Sequence, residues 1–543
     1  MGIIFIKKSI VFALALIITS SLFGLNVEIL GHGQRTDGSQ LWDIYYNISD
    51  IPTGDSIQII PNPITTRGET LHCETFIEPS DTGIVAGPGD YHIIWNIGED
   101  VPNREFYSQW INIFITATVP GIVPGECNEV KMIAAGESHS GLVLFDGTCW
   151  SWGRNSNGQV GNGSTIDVLE PTQVVGFGGT GFLSMIDYLA LGEKHSAAVD
   201  FAGNVFSWGR NHRGQLGNLT TTESWTPVMS MDSTAALIDN GKTVSCGFAH
   251  TISANLDSSG RSWGYNFSGQ LGIGSWGGSG GEYSIGIDRN IGYQPLQPSG
   301  DRYLRRVLDV DAGSFHSLWL TYRGHVFASG SNFNGQLGDG NIGGESDTFD
   351  IGIDRAIPVH VLAPMGSDFL DIAIQISAGR NHSCALVDGG YVICWGRNHR
   401  GQLGDGALTD QPIPGYVVSP SGAGYLDSIK AISAGKYHTL ALHEDGTIWA
   451  WGENSYGELG NAVSGGSSDA YDPAIDSRIP VQVLNEIGTA PLDNIIMIAA
   501  GFYHNLALEA DGTVWAWGRN DHGQLGNGTT TDNPLPVRVT EIW

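Results

Sequence analysis

Residues Ile498–Gly528 read I-A-A-G-F-Y-H-N-L-A-L-E-A-D-G-T-V-W-A-W-G-R-N-D-H-G-Q-L-G-N-G, and the chain says this, with variations, seven times. Fixed-period self-similarity decides architecture before any local reading does. A G-x-x-H element anchors each copy: Gly136/His139, Gly192/His195, Gly247/His250, Gly313/His316, Gly379/His382, Gly435/His438 and Gly501/His504. Thirteen residues after each His stands the Trp of W-G (Trp152, Trp208, Trp263, Trp395, Trp451, Trp517), with Ser329 in the fourth copy. Nine residues further comes the last Gly of G-[QE]-[LV]-G, from Gly161 to Gly526. Both spacings hold in every copy, so the span is a rigid unit.

Inside the unit the period is two. In His438–Gly452 an apolar, β-favouring run flanks Asp445-Gly446, which predicts two strands joined by a tight hairpin. Gly435, just before the His, suits a turn with positive φ. After G-Q-L-G the chain turns polar, then resumes with short P-V-x-V strands (Pro358–Val361, Pro480–Val483, Pro536–Val539) and an apolar strand into the next Gly, such as Ile495–Ala499. Each unit therefore supplies about four short antiparallel strands. One such sheet cannot bury both faces, whereas sheets stacked radially in a closed ring can.

The string A-G-x-x-H-[ST]-x-A-L…D-G-x-[VI]-[WF]-x-W-G-x-N-x-x-G-Q-L-G resembles the repeat of the regulator of chromosome condensation family, the RCC1-like propellers. The likeness covers Val130 to Trp543. It implies an all-β, seven-bladed β-propeller. Short copies leave 30 or 31 positions between one L-G and the next G-x-x-H (217 to 247; 404 to 435), while 17 residues follow Gly526 and 13 precede Gly136 back to Val123. These two remainders add up to one connection. The expectation is that the C-terminal P-L-P-V-R-V-T-E-I-W strand completes the blade begun by the first repeat.

The rest of the 543 residues reads as three pieces. Residues 1–24 carry Lys7-Lys8, an apolar run Ile10–Ile18 and then small residues, the pattern of a secretory signal peptide. The run is shorter than the ~20 residues a spanning helix needs, and no other segment could span. Residues 25–118 lack the repeat. Their strand-like runs Asn26–Leu30, Leu41–Ile48, Ser56–Ile60, Tyr91–Ile97 and Trp110–Thr118 predict a small β-sandwich. G-Q-R-T-D-G-S-Q-L-W-D-I-Y-Y-N within it resembles fibronectin- or immunoglobulin-like modules. Residues 119–126 form a Pro/Gly linker, and the propeller occupies 127–543. Of six cysteines, Cys384 and Cys394 lie on two arms of one hairpin around Asp388-Gly389-Gly390. A three-residue loop would place them opposite and permit a disulfide; a two-residue loop would misalign them, leaving two small apolar residues.

Net charge is −30, which argues against nucleic acid, since phosphate binding needs Lys and Arg. Neither a Cys-pair zinc pattern, H-E-x-x-H, a Walker loop nor an EF-hand loop occurs. The string Gly277–Gly281 matches G-x-S-x-G but lies in a flexible loop, away from any nucleophile elbow. The seven histidines His139, His195, His250, His316, His382, His438 and His504 spread around a ring, so they cannot converge on a metal. The expected role is structural, each bonding backbone inside its blade, and no cofactor is called for.

Long connections follow the third, fourth and sixth units (Ile273–Pro298, Asp339–Pro358, Asn461–Pro480), with a shared Gly/Ser/Asp start and I-D-R-like end. They suggest one loop shape used three times. Their carboxylates and carbonyls are of the kind Ca²⁺ uses, and a solvated loop is the simpler reading. Their aromatics Trp276, Tyr283, Phe349 and Tyr471 are the candidate binding rim, because loops on a rigid scaffold carry binding and aromatics anchor interfaces; loop self-packing is the alternative.

The functional expectation is an exported, monomeric, non-enzymatic binding protein (secreted, periplasmic or at the cell surface) that holds a protein partner on a face or rim. Carbohydrate or cell-surface polymer binding is the alternative class. The resemblance also admits an inhibitor of the β-lactamase-inhibitor type, for which no residue can be matched. The family's nucleotide exchange on a nuclear GTPase sits poorly with a leader peptide and an acidic chain.

Overall fold

The computed structural model describes residues 130–540, except 278–283, 285–286, 345–349, 351, 367 and 467–469, and before them the backbone of six strands. The chain divides into two compact units, Met1–Glu126 and Cys127–Trp543. The signal-like segment 1–24, the linker 119–126, Cys73 and Cys127 lie outside the described residues.

In the first unit Asn26–Gln34, Leu41–Ser49 and Gly89–Asn96 make one three-stranded antiparallel sheet. Ser56–Thr65, Gly83–Ala86 and Ile111–Thr118 make a second.

In the second unit the described residues form seven four-stranded antiparallel sheets, each built from consecutive strands. Blade 1 is Val130–Ala135, His139–Leu144, Cys149–Gly153 and Val168–Gln173. Blade 7 is Ile495–Ala500, His504–Glu509, Val514–Gly518 and Asn533–Arg538. The first strand of every blade faces the central channel.

The predicted phase of ring closure is wrong. Asn533–Arg538 pairs with Val514–Gly518 in its own blade and does not complete the first. The 30 or 31 positions between units hold an outer strand and the next inner strand, so the terminal remainders hold one strand each, in different blades. The seam is sealed without a shared sheet. Leu142, Leu144 and Trp152 pack in one core with Leu506, Leu508, Leu525 and Val539. Phe502 N–H donates to Gly136 O at 3.0 Å, and Gly528 N–H to Leu169 O at 3.1 Å.

Blade junctions explain the invariant letters. Each repeat His bonds through Nε2, at 2.7–3.0 Å, to the residue just after the next blade's His: Ser196, Thr251, Ser317, Ser383, Thr439, Asn505 and, across the seam, Ser140. That residue donates in turn to the backbone carbonyl of the preceding blade's G-[QE]-[LV]-G loop, as Ser196 does to Gln159 O at 2.7 Å. The next blade's Trp shares the same carbonyl, as Trp208 Nε1 does at 2.9 Å. The histidines therefore tie blade to blade, correcting the expectation of bonds inside one blade. Each hydroxyl spends its single hydrogen on the carbonyl, so Nε2 must be the imidazole donor. The Nδ1 atoms are buried without partners. Burial holds these rings neutral, with pKa values lowered to about 3, and to about 4 for His438.

The Gly of G-x-x-H is also corrected. Gly435 does not have positive φ. A Cβ there would lie 2.2 Å from His438 Cε1 and 2.5 Å from Gly501 O of the next blade. Close approach of ring and backbone demands glycine, and handedness does not.

The W-G tryptophans are fully buried between blades. Each removes ~200 Å² from water, an upper bound of about 5 kcal/mol. In blade 4, Ser329 Oγ takes over the indole's bond, reaching Gln270 O at 3.2 Å. Pro358 lies beside Gly272 there, where Trp neighbours the equivalent glycine elsewhere.

Candidate protein-binding face

Antiparallel order sorts the connections by face. The G-x-x-H turns and the W-G to outer-strand loops lie on one side; the hairpin tips and the returns to the next inner strand lie on the other. The two residues inside G-x-x-H and the residue after W-G therefore surface together. They vary where everything around them is constant, and that variation was the signal sequence reasoning passed over.

On blades 5 to 7 these positions form a cation–aromatic cluster. Arg380 and Arg397 lie over the Tyr437 ring, 5.9 and 5.3 Å from its centroid. Lys436 lies 4.1 Å from the Tyr503 centroid and contacts the Tyr503 hydroxyl. Arg519 lies 4.9 Å over Tyr456 and 5.3 Å over Tyr503 and pairs with Asp521 at 2.6 Å. Tyr456 meets Tyr503 edge-on at 5.2 Å, and His399 meets Tyr437 at 4.9 Å. Burial first, and Arg380 next, pull the Lys436 ammonium down to about 8. Burial, then Arg397 and Arg400, lower His399 to about 3, so it is neutral at pH 7. Blades 3 and 4 continue the face with further rings, Phe248 and Phe315 at 5.0 Å and Tyr265 and Phe267 stacked at 6.1 Å, and Arg213 of blade 2 lies 4.5 Å over Tyr265. This basic, aromatic patch, with Glu453, Glu137 and Glu193 at corresponding positions of the same face, is a local feature that the net charge of −30 hides.

The three long loops border this same face, and in the structure they share one shape. Asp288, Asp354 and Asp476, from the I-D-R-like ends, each accept two backbone N–H groups: Asn266 and Ser284, Asn332 and Asp350, Asn454 and Asp472. An arginine from the preceding blade caps two of them, Arg213 on Asp288 at 3.2 Å and Arg400 on Asp476 at 3.0 Å. The corresponding position before Asp354 is Ser268. Burial raises Asp354 to about 6. Of the candidate aromatics, Trp276 is exposed. Tyr471 is half-buried, its hydroxyl near Arg478 and its pKa raised by burial, so it leans on its own loop. Tyr283 and Phe349 lie outside the described residues. Cys384 and Cys394 stand directly opposite, with Val387 facing Tyr391 across a three-residue loop, and form a disulfide. Among the described residues no group of three or more His, Cys, Asp or Glu side chains could hold a metal ion, and no helix is long and apolar enough to cross a membrane.

The RCC1-like domain signature matches residues 274–542, and the regulator of chromosome condensation (RCC1) repeat matches 130–159, 146–199, 186–215 and 202–254. The chain is 31% identical over 416 residues to the bovine secretion-regulating guanine nucleotide exchange factor, covering 74% of this chain and 81% of that protein. It is 29% identical over 416 residues to the ultraviolet-B receptor UVR8 of Arabidopsis thaliana, covering 76% and 82%. Among solved structures it resembles Prp20p of Saccharomyces cerevisiae, a protein described with binding to Gsp1p and histones, at TM-score 0.54 and 21% identity over 76% of this chain and 88% of that one. At that identity the likeness speaks for the fold.

Proposed function

Because the chain belongs to the regulator of chromosome condensation repeat family, we propose that it is a non-enzymatic protein-binding propeller whose contact surface is the G-x-x-H face. The observation that carries this is the stack of Arg380, Arg397, Lys436 and Arg519 on Tyr437, Tyr456 and Tyr503. Tyr and Arg are the residues in which interface energy concentrates. Only Arg519 among these cations has a carboxylate in ion-pair contact among the described residues; Glu453, Glu137 and Glu193 act on Lys436 without contacting it, which leaves the cations open to carboxylates of a partner.

Export completes the proposal, with a small sandwich made of the first unit's two sheets ahead of the propeller. The Cys384–Cys394 disulfide supports an oxidising compartment. Affinity capture from the native envelope and medium tests the reading. A discrete protein retained by the full chain and lost with Arg380→Glu/Arg397→Glu is the expected result. Capture indifferent to that reversal sinks it. A glycan-array signal that disappears with Trp276→Ala would replace it with polymer binding.

A further inference from the structure

The ring axis encloses a cavity of about 190 Å³, well above the ~30 Å³ share of one water. Its wall is the seven inner strands, so corresponding positions can be compared around it. Two residues before each G-x-x-H glycine stand alanines in blades 1, 2 and 7, serines in blades 3, 5 and 6, and Asp311 in blade 4. The serines do a structural task there: Ser245, Ser377 and Ser433 accept the next blade's Ala312, Ala434 and Ala500 N–H at 3.0, 3.0 and 2.9 Å. This satisfies the exposed edge of each inner strand. Asp311 Oδ2 does the same for Ala378 N–H at 2.8 Å. A hydroxyl is therefore sufficient for that amide; Asp311 Oδ1 additionally accepts Ser245 Oγ–H at 2.7 Å and Ala312 N–H at 3.0 Å, and its negative charge exceeds what these neutral donors need.

That charge sits in an unusual setting. Both Asp311 and Asp309, two residues earlier on the same strand face and held by Thr243 Oγ1 at 3.0 Å, are half-buried carboxylates. Among the described residues neither has a Lys, Arg or His in ion-pair contact. The nearest ammonium, Lys242, points to Leu308 O at 3.3 Å and Tyr322 Oη at 3.4 Å. Charges withdrawn from much of their hydration are otherwise paired. Burial raises the pKa of Asp309 and Asp311, and both carboxylates push up that of Tyr188, which therefore shares their space. Ser314, 2% exposed and lining the same cavity, has an Oγ with no partner. The wall on the other side is apolar, from Met132, Leu189 and Ala499.

We propose that the central channel binds a small primary ammonium compound, its charge on Asp311, with Asp309 adding negative charge from the same strand face, and its short aliphatic part against the Met132–Leu189–Ala499 wall. The three donors of an ammonium match carboxylate and hydroxyl acceptors, and Ser314 Oγ offers a further acceptor. This site is independent of the outer face.

The test is calorimetric titration of the full chain with methylammonium to butylammonium chlorides, with tetramethylammonium, potassium and calcium chlorides alongside. Saturable binding of the short amines below about 1 mM is expected, with none of tetramethylammonium, which has no N–H donor. Asp311→Ser keeps an acceptor for Ala378 N–H, so it should retain native circular dichroism while weakening the amine at least about tenfold. Absence of saturation up to about 10 mM, equal binding by Asp311→Ser, or a response to potassium or calcium in place of the amines overturns the proposal.

Discussion

Ser140→Ala should loosen the ring at its one junction without a peptide link. Ser140 is fully buried; its Oγ lies 2.8 Å from His504 Nε2 and 2.8 Å from Gln524 O. Gln524 O keeps a second donor, Trp152 Nε1 at 3.0 Å. The variant thus strands one N–H, on an imidazole whose Nδ1 is already without a partner. A buried donor left unsatisfied costs about 1–3 kcal/mol. Ser196→Ala removes the same pair of bonds between blades 1 and 2, to His139 and Gln159 O, and should cost the same in equilibrium urea unfolding. Native-state hydrogen exchange separates them. At the seam the lost energy favours local opening, so amides of Val130–Ala135 and Ile495–Ala500 should exchange about 5- to 150-fold faster in Ser140→Ala. Blades 1 and 2 stay joined through the chain, so Ser196→Ala should not speed exchange selectively there. A loss below about 0.5 kcal/mol, or unaltered exchange at the seam, would refute the idea that these bonds hold the ring closed.

Gly379→Ala should destabilise by about 1–3 kcal/mol or more, because its Cβ would lie 2.2 Å from His382 Cε1, whereas Gly415→Ala, with nothing within 4 Å and no positive φ, should be neutral or stabilising in the same denaturation series. The repeat histidines have folded pKa values below the unfolded ~6.5, so stability they support is complete above that pH and lost as pH falls toward about 3 to 4. Raised carboxylates such as Glu453 and Asp354 act in the opposite sense, so a difference measurement is needed. His504→Gln should lower the slope of unfolding free energy against pH by about 1.4 kcal/mol per unit between pH ~4 and ~6; an unchanged slope would contradict the assignment. Peptide mapping without reductant should recover Cys384 joined to Cys394, and Cys149 and Cys246, buried with raised pKa, should resist alkylation until unfolding. Ser268→Arg should supply Asp354 with the cap that Arg213 and Arg400 give its counterparts, lowering its pKa from about 6 and raising Tm; a fall in Tm would mean the arginine cannot reach.

Strand content, blade number and the rigid His-to-Trp-to-Gly unit were legible because they are fixed within about twenty residues of chain. What escaped depends on pairs 56 to 67 residues apart. His139 meeting Ser196 is invisible to a local pattern, even though a hydroxyl or amide follows every repeat His. Gly435 looked like a turn glycine because the carbonyl it must clear belongs to Gly501. Closure failed as arithmetic because residue counts fix how many strands remain, and not which sheet receives them. The long loops were recognised as one shape, but their aromatics were weighed above the turn residues. The value of Tyr437 or Arg397 depends on a neighbour contributed by another blade.

Since every blade is a self-contained run of sequence, the place where the chain starts around the wheel is arbitrary. A circular permutant joining residue 540 to Val130 through a linker the length of the return between Met229 and Gly241, and opened instead within Val417–Ser428, should keep the same seven junctions in rotated order. Its new ends would emerge between the disulfide-bearing blade and the next, which would become the gap that non-covalent bonds alone must hold.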